Sequence, residues 1–354
     1  MNIQSHVSLN LLNTLRLPSK ASLFAPISAQ TNLPALMNDS RFFNPFILGG
    51  GSNILFVGDY EGVVLKTDIK GIDILSETDE GVVLEVGAGE NWHNLVTFAV
   101  DHNWGGIENM ALIPGTVGAA PVQNIAAYGQ NFVDVFESLD AFDMTTGKSA
   151  TFDAPSCKLA YRSSIFKTTF KNRYLITKVR IKLHKKHQLS TDYFMIHMSY
   201  DSLRSELRSF ATAPYTIKDV YQAVIHIRTR KLPDPKLFPT CGSFFLNPTI
   251  SRETYDELSS QIPELQSYPV EQLQYTALID PSDAHVKIPA GRLIDELGWR
   301  GKTVGNCSVW DKHALVFTHN GDATGKEFLE FTNRIKNSVF ESYGVSLESE
   351  IVVV

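Results

Sequence analysis

The chain has 354 residues, of which 43% are hydrophobic and 20% are charged, a composition typical of a soluble globular protein. Its length exceeds what one ordinary hydrophobic core supports, so we expect two or three domains. The formal net charge of −6 argues against nucleic acid or an anionic membrane surface as a partner, although a local cluster of cations could still bind a small anionic ligand.

Signals for export, membrane insertion and metal binding are missing from the sequence pattern. The first residues carry no cationic stretch followed by an apolar one, and no apolar run reaches the ~18 residues of a membrane helix. Cys157, Cys241 and Cys307 are scattered without CxxC spacing, which predicts neither a disulfide framework nor a zinc or other metal site. We therefore expect a cytoplasmic protein.

Short apolar runs and turn residues predict strands in the first half of the chain. The predicted strands cover residues 46–48, 54–57, 62–65, 81–86 and 174–183, with a hairpin turn at residues 145–148. One helix is predicted among them, because Trp92, Leu95, Val96 and Ala99 recur on one helical stripe.

The second half is predicted to contain three helices and a final strand. Residues 205–216 are interpreted as a connection, and an apolar stripe predicts a helix that ends at Lys231, before Pro233. Further helices are predicted at 292–297 and after Thr324, where Thr-x-x-Glu forms a capping box with Glu327. The last strand is expected over about 345–354. Because strands and helices alternate irregularly, the pattern favours an α+β fold.

The run Gly49-Gly50-Gly51-Ser52-Asn53 lies between two predicted strands. Successive glycines can turn their N–H groups inward to bind an anion such as a pyrophosphate. A tight connection between strands explains the same residues equally well. The spacing does not match the dinucleotide fingerprint of a Rossmann fold, because a strand rather than a helix follows.

Residues 114–129 form an uncharged stretch of small side chains and turn formers. Such a stretch lets the backbone lie close against a flat ligand such as a flavin ring. A buried structural loop is the alternative, although long loops without secondary structure are uncommon.

Two cations stand in apolar surroundings. Arg162 could hold a carboxylate with two hydrogen bonds, and a structural ion pair is its alternative. Lys231 continues the apolar stripe of its helix, so it binds an anionic ligand at a domain edge or extends its charged end to solvent.

One hydroxyl and two carboxylates complete the candidate chemistry. Ser243 lies between a glycine and two phenylalanines and could donate a proton, although such a serine usually only begins a strand. The sequence contains no Gly-x-Ser-x-Gly motif, so Ser243 is not expected to be the nucleophile of a hydrolase of that kind. Alternation along the last strand places Glu348 and Glu350 on one face, where both are expected to be solvated.

Three distant segments carry a family resemblance: residues 161–166 (YRSSIF), 241–248 (CGSFFLNP) and 347–350 (LESE). Further matching segments occur in the same order at 47–55, 86–92, 111–129 and 231–236. From about residue 46 to residue 351 the chain resembles the family of UDP-N-acetylenolpyruvoylglucosamine reductases. The resemblance implies a two-part flavin domain of the vanillyl-alcohol-oxidase/PCMH type, at residues 1–70 and 71–210, and a C-terminal α+β substrate domain at 211–354.

The resemblance also implies the reaction. NADPH would reduce non-covalently bound FAD, and hydride would pass to the enolpyruvyl C3 of UDP-N-acetylglucosamine enolpyruvate, giving UDP-N-acetylmuramate for peptidoglycan. Arg162 and Glu350 would stabilise the enolate-like intermediate, and Ser243 would protonate C2. Tyr200, Lys231 and Asn247 would hold the UDP part. The residues expected at the cofactor are Gly49, Gly50, Gly51, Ser52, Asn53, Gly115, Thr116, Gly118, Gln123, Asn124, Ala126, Tyr128 and Tyr161.

Tyr200 resembles the substrate-capping tyrosine of the type I enzymes, whereas His313 and Val352 depart from the glutamine and arginine of those relatives.

Two alternative functions remain open. Another flavin oxidoreductase of this fold, acting on a sugar or alcohol, would want a flavin-tethering residue, for which His93 and Cys157 are the nearest candidates. The second alternative is a non-catalytic nucleotide-sugar binding protein. We expect a monomer.

Overall fold

A computed structural model describes residues 3–186, 188–191, 203–270 and 284–354 of the protein. Over these ranges the chain mixes helices with parallel and antiparallel strands and shows no regular βαβ repeat. The predicted α+β class is therefore confirmed. No helix within these ranges is long and apolar enough to cross a membrane.

The N-terminal part is built on a mixed four-stranded sheet. Its elements are β1 (Gln4–Ser8), β2 (Lys20–Ile27), α1 (Leu33–Met37), β3 (Pro45–Leu48), β4 (Ile54–Leu55) and β5 (Tyr60–Thr67). The sheet order is β1-β2-β5-β3, and β2, β5 and β3 run parallel. The carboxyl ends of β3 and β5 therefore lie side by side, and the glycine-rich loop begins where β3 ends.

The middle part is built on a five-stranded antiparallel sheet of order β11-β10-β12-β7-β6. Its elements are β6 (Ile72–Glu77), β7 (Gly81–Gly87), α2 (Trp92–Asp101), β8 (Ala126–Ala127), β9 (Gln130–Asn131), β10 (Phe136–Asp143), β11 (Lys148–Asp153), α3 (Ala154–Cys157), β12 (Tyr174–His184), α4 (Leu203–Phe210) and α5 (Ile217–Lys231). The apolar faces of α2, α4 and α5 share one buried cluster with the sheet.

The predicted hairpin at 145–148 is confirmed, because Gly147 takes a φ of +72° between the antiparallel strands β10 and β11. The predicted connection over 205–216 is wrong in its first half, which is helix α4. The buried side chains of Leu203 and Leu207, four residues apart, give α4 an apolar face that packs with α5.

The C-terminal part contains two small antiparallel sheets, β13-β19-β18-β17 and β14-β16-β15. Its elements are β13 (Thr240–Ser243), β14 (Thr249–Ser251), α6 (Arg252–Gln261), β15 (Tyr268–Pro269), β16 (His285–Lys287), α7 (Ala290–Glu296), β17 (Thr303–Val304), β18 (Cys307–Val309), β19 (Val316–His319), α8 (Gly325–Tyr343) and β20 (Val352–Val353). Strand β20 leaves this part and pairs in parallel with β4.

Two predictions for the last segments need correction. The final strand is only Val352–Val353, because the preceding residues turn to pair Ser349 with Phe245. At α8, the Thr324 side chain accepts from the Glu327 N–H as predicted. The Glu327 carboxylate, however, accepts from the N–H and Nδ2 of Asn306, so the reciprocal half of the predicted capping box is not formed.

The buried apolar residues do not divide strictly along the sequence. Helix α5 packs with the middle part, whereas Leu15 and Leu17 lie in the core of the C-terminal part. The boundaries at residues 70 and 210 therefore stay predictions.

Candidate active site

A cleft opens at the carboxyl ends of β3 and β5, where ligands of open sheets commonly bind. Its empty volume, counted out to the mouth, is about 1160 Å³, which is large enough for a dinucleotide-sized ligand. The loop 49–53 lines one side and parts of 113–125 line the other, with Lys167 and Val352 also in the wall. The two loops singled out in the sequence thus face one space.

The glycines of the first loop are required by packing within the protein. A Cβ added to Gly50 would lie 2.6 Å from the Cα of Gly115, a distance that real Cβ atoms do not reach. Gly51 has a φ of +66° and lies against the backbone of Leu12. A substitution at Gly50 would therefore separate the two loops, whether or not a ligand approaches them.

The same loop carries hydrogen-bond donors that the protein itself does not use. Among the described residues, no group accepts from the backbone N–H of Gly50, Gly51, Ser52 or Asn53. The hydroxyl of Thr116, across the cleft, is buried without a hydrogen-bond partner in the same part of the structure. Unpaired N–H groups at a turn are a typical setting for an anion, so these residues fit the pyrophosphate of a dinucleotide.

The remaining predicted cofactor residues fall into two groups. Gly118 and Gln123 line the cleft, and Gln123 Oε1 accepts from Asn53 Nδ2 at 2.7 Å. Asn124 is outside the lining, because it is buried and its amide Nδ2 donates to the Ala160 carbonyl. The lining also omits Gly115, Ala126, Tyr128 and Tyr161.

Arg162 and Glu350, 188 positions apart in the numbering, do not line the cleft, but their backbone carbonyls accept hydrogen bonds from Lys167 Nζ, which does. Arg162 Nε lies 3.1 Å from Glu350 Oε1, and Arg162 Nη2 donates to the carbonyl of Ala126 at 3.1 Å. Arg162 takes a left-handed φ of +51°, a conformation that non-glycine residues seldom adopt and that is often found at functional sites.

Ser243 is held next to this pair through the backbone. The Glu350 N–H donates to the carbonyl of Phe244, the residue after Ser243, at 2.8 Å. Ser243 itself ends strand β13 after Gly242, which has a φ of +77°. The structure therefore places the end of strand β13, which carries Ser243, against the backbone of Glu350, whose side chain pairs with Arg162.

The prediction that both carboxylates of the last segment are solvated is wrong for Glu350. Glu348 is exposed, whereas the side chain of Glu350 is only 14% exposed. Burial raises the pKa of Glu350, and the cations of Arg162 and Lys167 oppose that rise. Strand alternation could not reveal this, because the segment 345–351 is not a strand.

Sequence reasoning missed Arg228, a second arginine near the site. Its Nη2 donates to the carbonyl of Leu112 at 3.2 Å, while its Nε is buried without a partner among the described residues. Burial lowers the pKa of this guanidinium, and Tyr128 opposes the effect. The signal was available, because Arg228 precedes Lys231 by three positions and so shares its helix face.

Lys231 and Asn247 do not line the cleft, and Tyr200 lies outside the described residues. Lys231 is half-buried at the end of α5, where its carbonyl accepts from Trp310 Nε1 at 3.0 Å. Asn247 Oδ1 accepts from the N–H of Ala290 at 3.0 Å, so this hydrogen bond does not use the NH₂ group of Asn247.

His313 lies beside these cations and is neutral at physiological pH. Its Nδ1 accepts from the N–H of Leu315 at 3.3 Å, so the neutral ring carries its proton on Nε2. Burial, together with the charges of Lys231 and Arg228, lowers the pKa of His313 to about 4. His313 is thus a neutral hydrogen-bond donor, whereas a charged histidine at this position would be repelled by Lys231 and Arg228.

His313→Gln is expected to flatten the acid dependence of stability. The folded-state pKa of His313 lies near 4, below the ~6.5 of an unfolded histidine. Stability from this residue is therefore present above pH ~6.5 and lost as the pH falls toward 4, by at most ~3 kcal/mol. Urea unfolding of both proteins between pH 8 and pH 4 measures the difference, with the exposed His285→Gln as control. Parallel curves for wild type and His313→Gln would contradict it.

Comparisons with known proteins agree with this geometry. Residues 43–153 match the family model of an FAD binding domain, and residues 234–354 match that of the UDP-N-acetylenolpyruvoylglucosamine reductase C-terminal domain. The chain is 39% identical over 355 residues to the UDP-N-acetylenolpyruvoylglucosamine reductase of Flavobacterium johnsoniae, covering 100% of both chains. It is 40% identical over 344 residues to that of Burkholderia orbicola, covering 96% of this chain and 93% of the relative.

A solved structure of a reductase resembles the whole chain. The UDP-N-acetylenolpyruvylglucosamine reductase (MurB) from Thermus caldophilus superimposes with a TM-score of 0.65 at 20% sequence identity, covering 100% of this chain and 99% of that one. At that identity the likeness supports the fold, including the two-part flavin domain, and the sequence relatives carry the family assignment.

Proposed function

The chain belongs to the UDP-N-acetylenolpyruvoylglucosamine reductase family of FAD-dependent oxidoreductases, and on that premise we propose that it converts UDP-N-acetylglucosamine enolpyruvate to UDP-N-acetylmuramate with NADPH as electron donor. The observation that carries the proposal is the convergence of Arg162, Glu350 and the Ser243 strand, joined through Lys167 to the wall of a cleft with unused N–H donors. Such a reductase would supply a peptidoglycan precursor in the cytoplasm, and we expect it to act as a monomer.

The cofactor would be FAD, held without a covalent bond. The N–H groups of 50–53 would take its pyrophosphate, and the uncharged segment 114–129 would lie against its ring. Bound there, FAD would supply hydride-transfer chemistry between NADPH and C3 of the enolpyruvyl group. Two residues that could have tethered a flavin are engaged elsewhere: His93 Nδ1 accepts from the Leu112 N–H at 3.2 Å, and the Cys157 thiol is buried with a pKa raised to about 12. This favours the reductase over a covalent oxidase.

The protein's own groups would handle the charge and the proton. Negative charge develops on C2 and the carboxylate of the substrate as hydride arrives at C3. The guanidinium of Arg162, oriented by Glu350, would stabilise that charge, because a fixed cation in a dry site interacts strongly with it. The hydroxyl of Ser243 would then protonate C2.

The charged UDP part would lie toward α5 and the C-terminal part. Lys231 and Arg228 put two cations on one face of that helix, with His313 neutral beside them. We propose that these groups, with the amide of Asn247 and with Tyr200, hold the diphosphate and the carboxylate.

Lys231→Ala is expected to raise KM for the UDP substrate by about 10- to 150-fold, since a hydrogen bond to a charged group is worth roughly 1.5–3 kcal/mol. Flavin content should stay normal, because Lys231 does not line the flavin cleft. Steady-state kinetics with matched flavin occupancy measures the effect, and the exposed Lys236→Ala five positions on is the control. If KM stays unchanged, the ammonium extends to solvent and binds no substrate.

An anaerobic absorbance experiment tests the function as a whole. The purified protein should be yellow, bleach with NADPH and recover its colour when UDP-N-acetylglucosamine enolpyruvate is added. A colourless protein that binds the nucleotide sugar would indicate a binding protein. A yellow protein that only oxygen or another sugar reoxidises would indicate a different oxidoreductase.

A further inference from the structure

Lys167 makes two hydrogen bonds next to the Arg162–Glu350 ion pair. The roles proposed above for Arg162, Ser243 and Glu350 do not explain them. Lys167 Nζ donates to the backbone carbonyl of Arg162 at 3.1 Å and to the backbone carbonyl of Glu350 at 3.3 Å. The two acceptors are 188 positions apart and belong to the two residues whose side chains form the ion pair. One ammonium group therefore joins both backbones on which that pair depends.

The surroundings of Lys167 hold it in this position. The residue lines the cleft, and its backbone N–H donates to the carbonyl of Ser164 at 3.2 Å, closing the turn that follows Arg162. The Glu350 carbonyl also accepts from Asn53 Nδ2 at 3.2 Å. The C-terminal segment is thus fixed from the glycine-rich loop on one side and from Lys167 on the other.

We propose that Lys167 is a positioning residue for the reaction, one that fixes the Arg162–Glu350 ion pair by joining the two backbones beneath it. The proposal rests on the proposed function, because it takes Arg162 and Glu350 to be the groups that act on substrate. Neither residue has a regular element around it to hold it: Arg162 sits in a turn with a positive φ, and Glu350 precedes a strand of two residues. A misplacement of about 1 Å in such a pair can cost about 10²-fold in rate.

A second consequence follows from the charge of Lys167. Among the described residues, the charged or titratable groups that interact with Glu350 are Arg162, Lys167 and the neutral thiol of Cys241. Lys167 is one of two cations that lower the pKa of this carboxyl against the effect of burial. Removing the ammonium should therefore raise the pKa of Glu350, whereas removing an exposed lysine that does not contact this segment should leave that pKa unchanged.

The test compares three variants of the FAD-loaded protein. Lys167→Met removes the ammonium and keeps most of the side-chain length, and Lys167→Arg keeps the charge and the donors. Lys171→Met is the matched control, because Lys171 is an exposed lysine four positions on. Two quantities are measured: the rate at which substrate reoxidises the NADPH-reduced flavin, and the titration of Glu350 followed by ¹³C-carboxyl glutamate labelling, with Glu350→Gln used to assign the signal.

For Lys167→Met we expect full flavin content, reoxidation slowed by about 10- to 100-fold, and a Glu350 titration moved to higher pH. Lys167→Arg should restore the titration and most of the rate, and Lys171→Met should match wild type. Unchanged rate and titration in Lys167→Met would overturn the proposal, as would the same shift in Lys171→Met. If Lys167→Met fails to fold, Lys167→Gln, which keeps a donor without the charge, must show the raised titration.

The two proposals fail separately. If the wild-type flavin is not reoxidised by UDP-N-acetylglucosamine enolpyruvate, the proposed function is refuted. The Glu350 titration needs no substrate, so it still decides whether Lys167 acts on that carboxyl.

Discussion

Ser243→Ala is expected to slow reoxidation of the reduced flavin by substrate by about 10²–10⁴-fold, the range usual for a positioned acid. Reduction of the flavin by NADPH should stay almost intact, because that half of the reaction needs no proton at C2. Ser243 stands at the end of β13, one residue from the carbonyl that receives the Glu350 N–H.

Stopped-flow measurement of the two half-reactions checks the prediction. Ser243→Cys keeps a proton to donate and should retain more activity than Ser243→Ala. Equal slowing of both half-reactions in Ser243→Ala would mean that the hydroxyl is structural and that another acid must be sought.

Glu350→Gln is expected to lower the rate of the same half-reaction by about 10²–10³-fold, the effect of removing one preorganised electrostatic group. The amide keeps the shape of the side chain and removes the charge that orients the Arg162 guanidinium 3.1 Å away. Glu348→Gln is a matched control, because Glu348 is exposed and two positions away. Similar losses in both variants would point to the charge of the segment as a whole and would contradict a specific role for Glu350.

Wild type and Glu350→Gln are also expected to differ in stability by an amount that changes with pH in a definite direction. The pKa of Glu350 is raised on folding, so its contribution to stability is fully present below the unfolded value and is lost as the pH rises through the folded value. Glutamine mimics the protonated acid at every pH. The stability of wild type relative to Glu350→Gln should therefore fall with rising pH, and a difference that grows instead would contradict the raised pKa.

The sequence predicted best where the cause is local. The helix ending at Lys231 follows from an apolar stripe and a proline, and the hairpin at Gly147 follows from a turn residue between alternating strands. Both were found at the expected places. The family resemblance supplied Arg162, Ser243 and Glu350 together, and the structure brings those three segments to one point.

The errors share a different cause, which is packing between distant parts of the chain. Glu350 was expected in solvent because alternation describes a strand, whereas its burial comes from contact with Arg162 and Phe244. The sequence left the glycine at position 50 open between a ligand and a tight strand connection, and only the tertiary structure shows that the Cα of Gly115 requires it. Arg228 escaped notice because a charge on a helix is usually solvated, and only the tertiary structure shows its Nε to be buried.

The pairing of β20 with β4 has a consequence for the order in which the molecule folds. The side chain of Asn53 donates a hydrogen bond to the carbonyl of Glu350, 297 positions away in the sequence. Contacts of such separation form late, because the chain entropy lost in closing a long loop comes before the stabilisation from the contacts. On a ribosome, the strand after the glycine-rich loop must wait for residues 352–353 before it has its parallel partner. The intermediate that precedes this step would hold most of the flavin cleft without the ion pair. Captured during synthesis or after removal of the last residues, it should still bind flavin and yet be unable to reduce substrate.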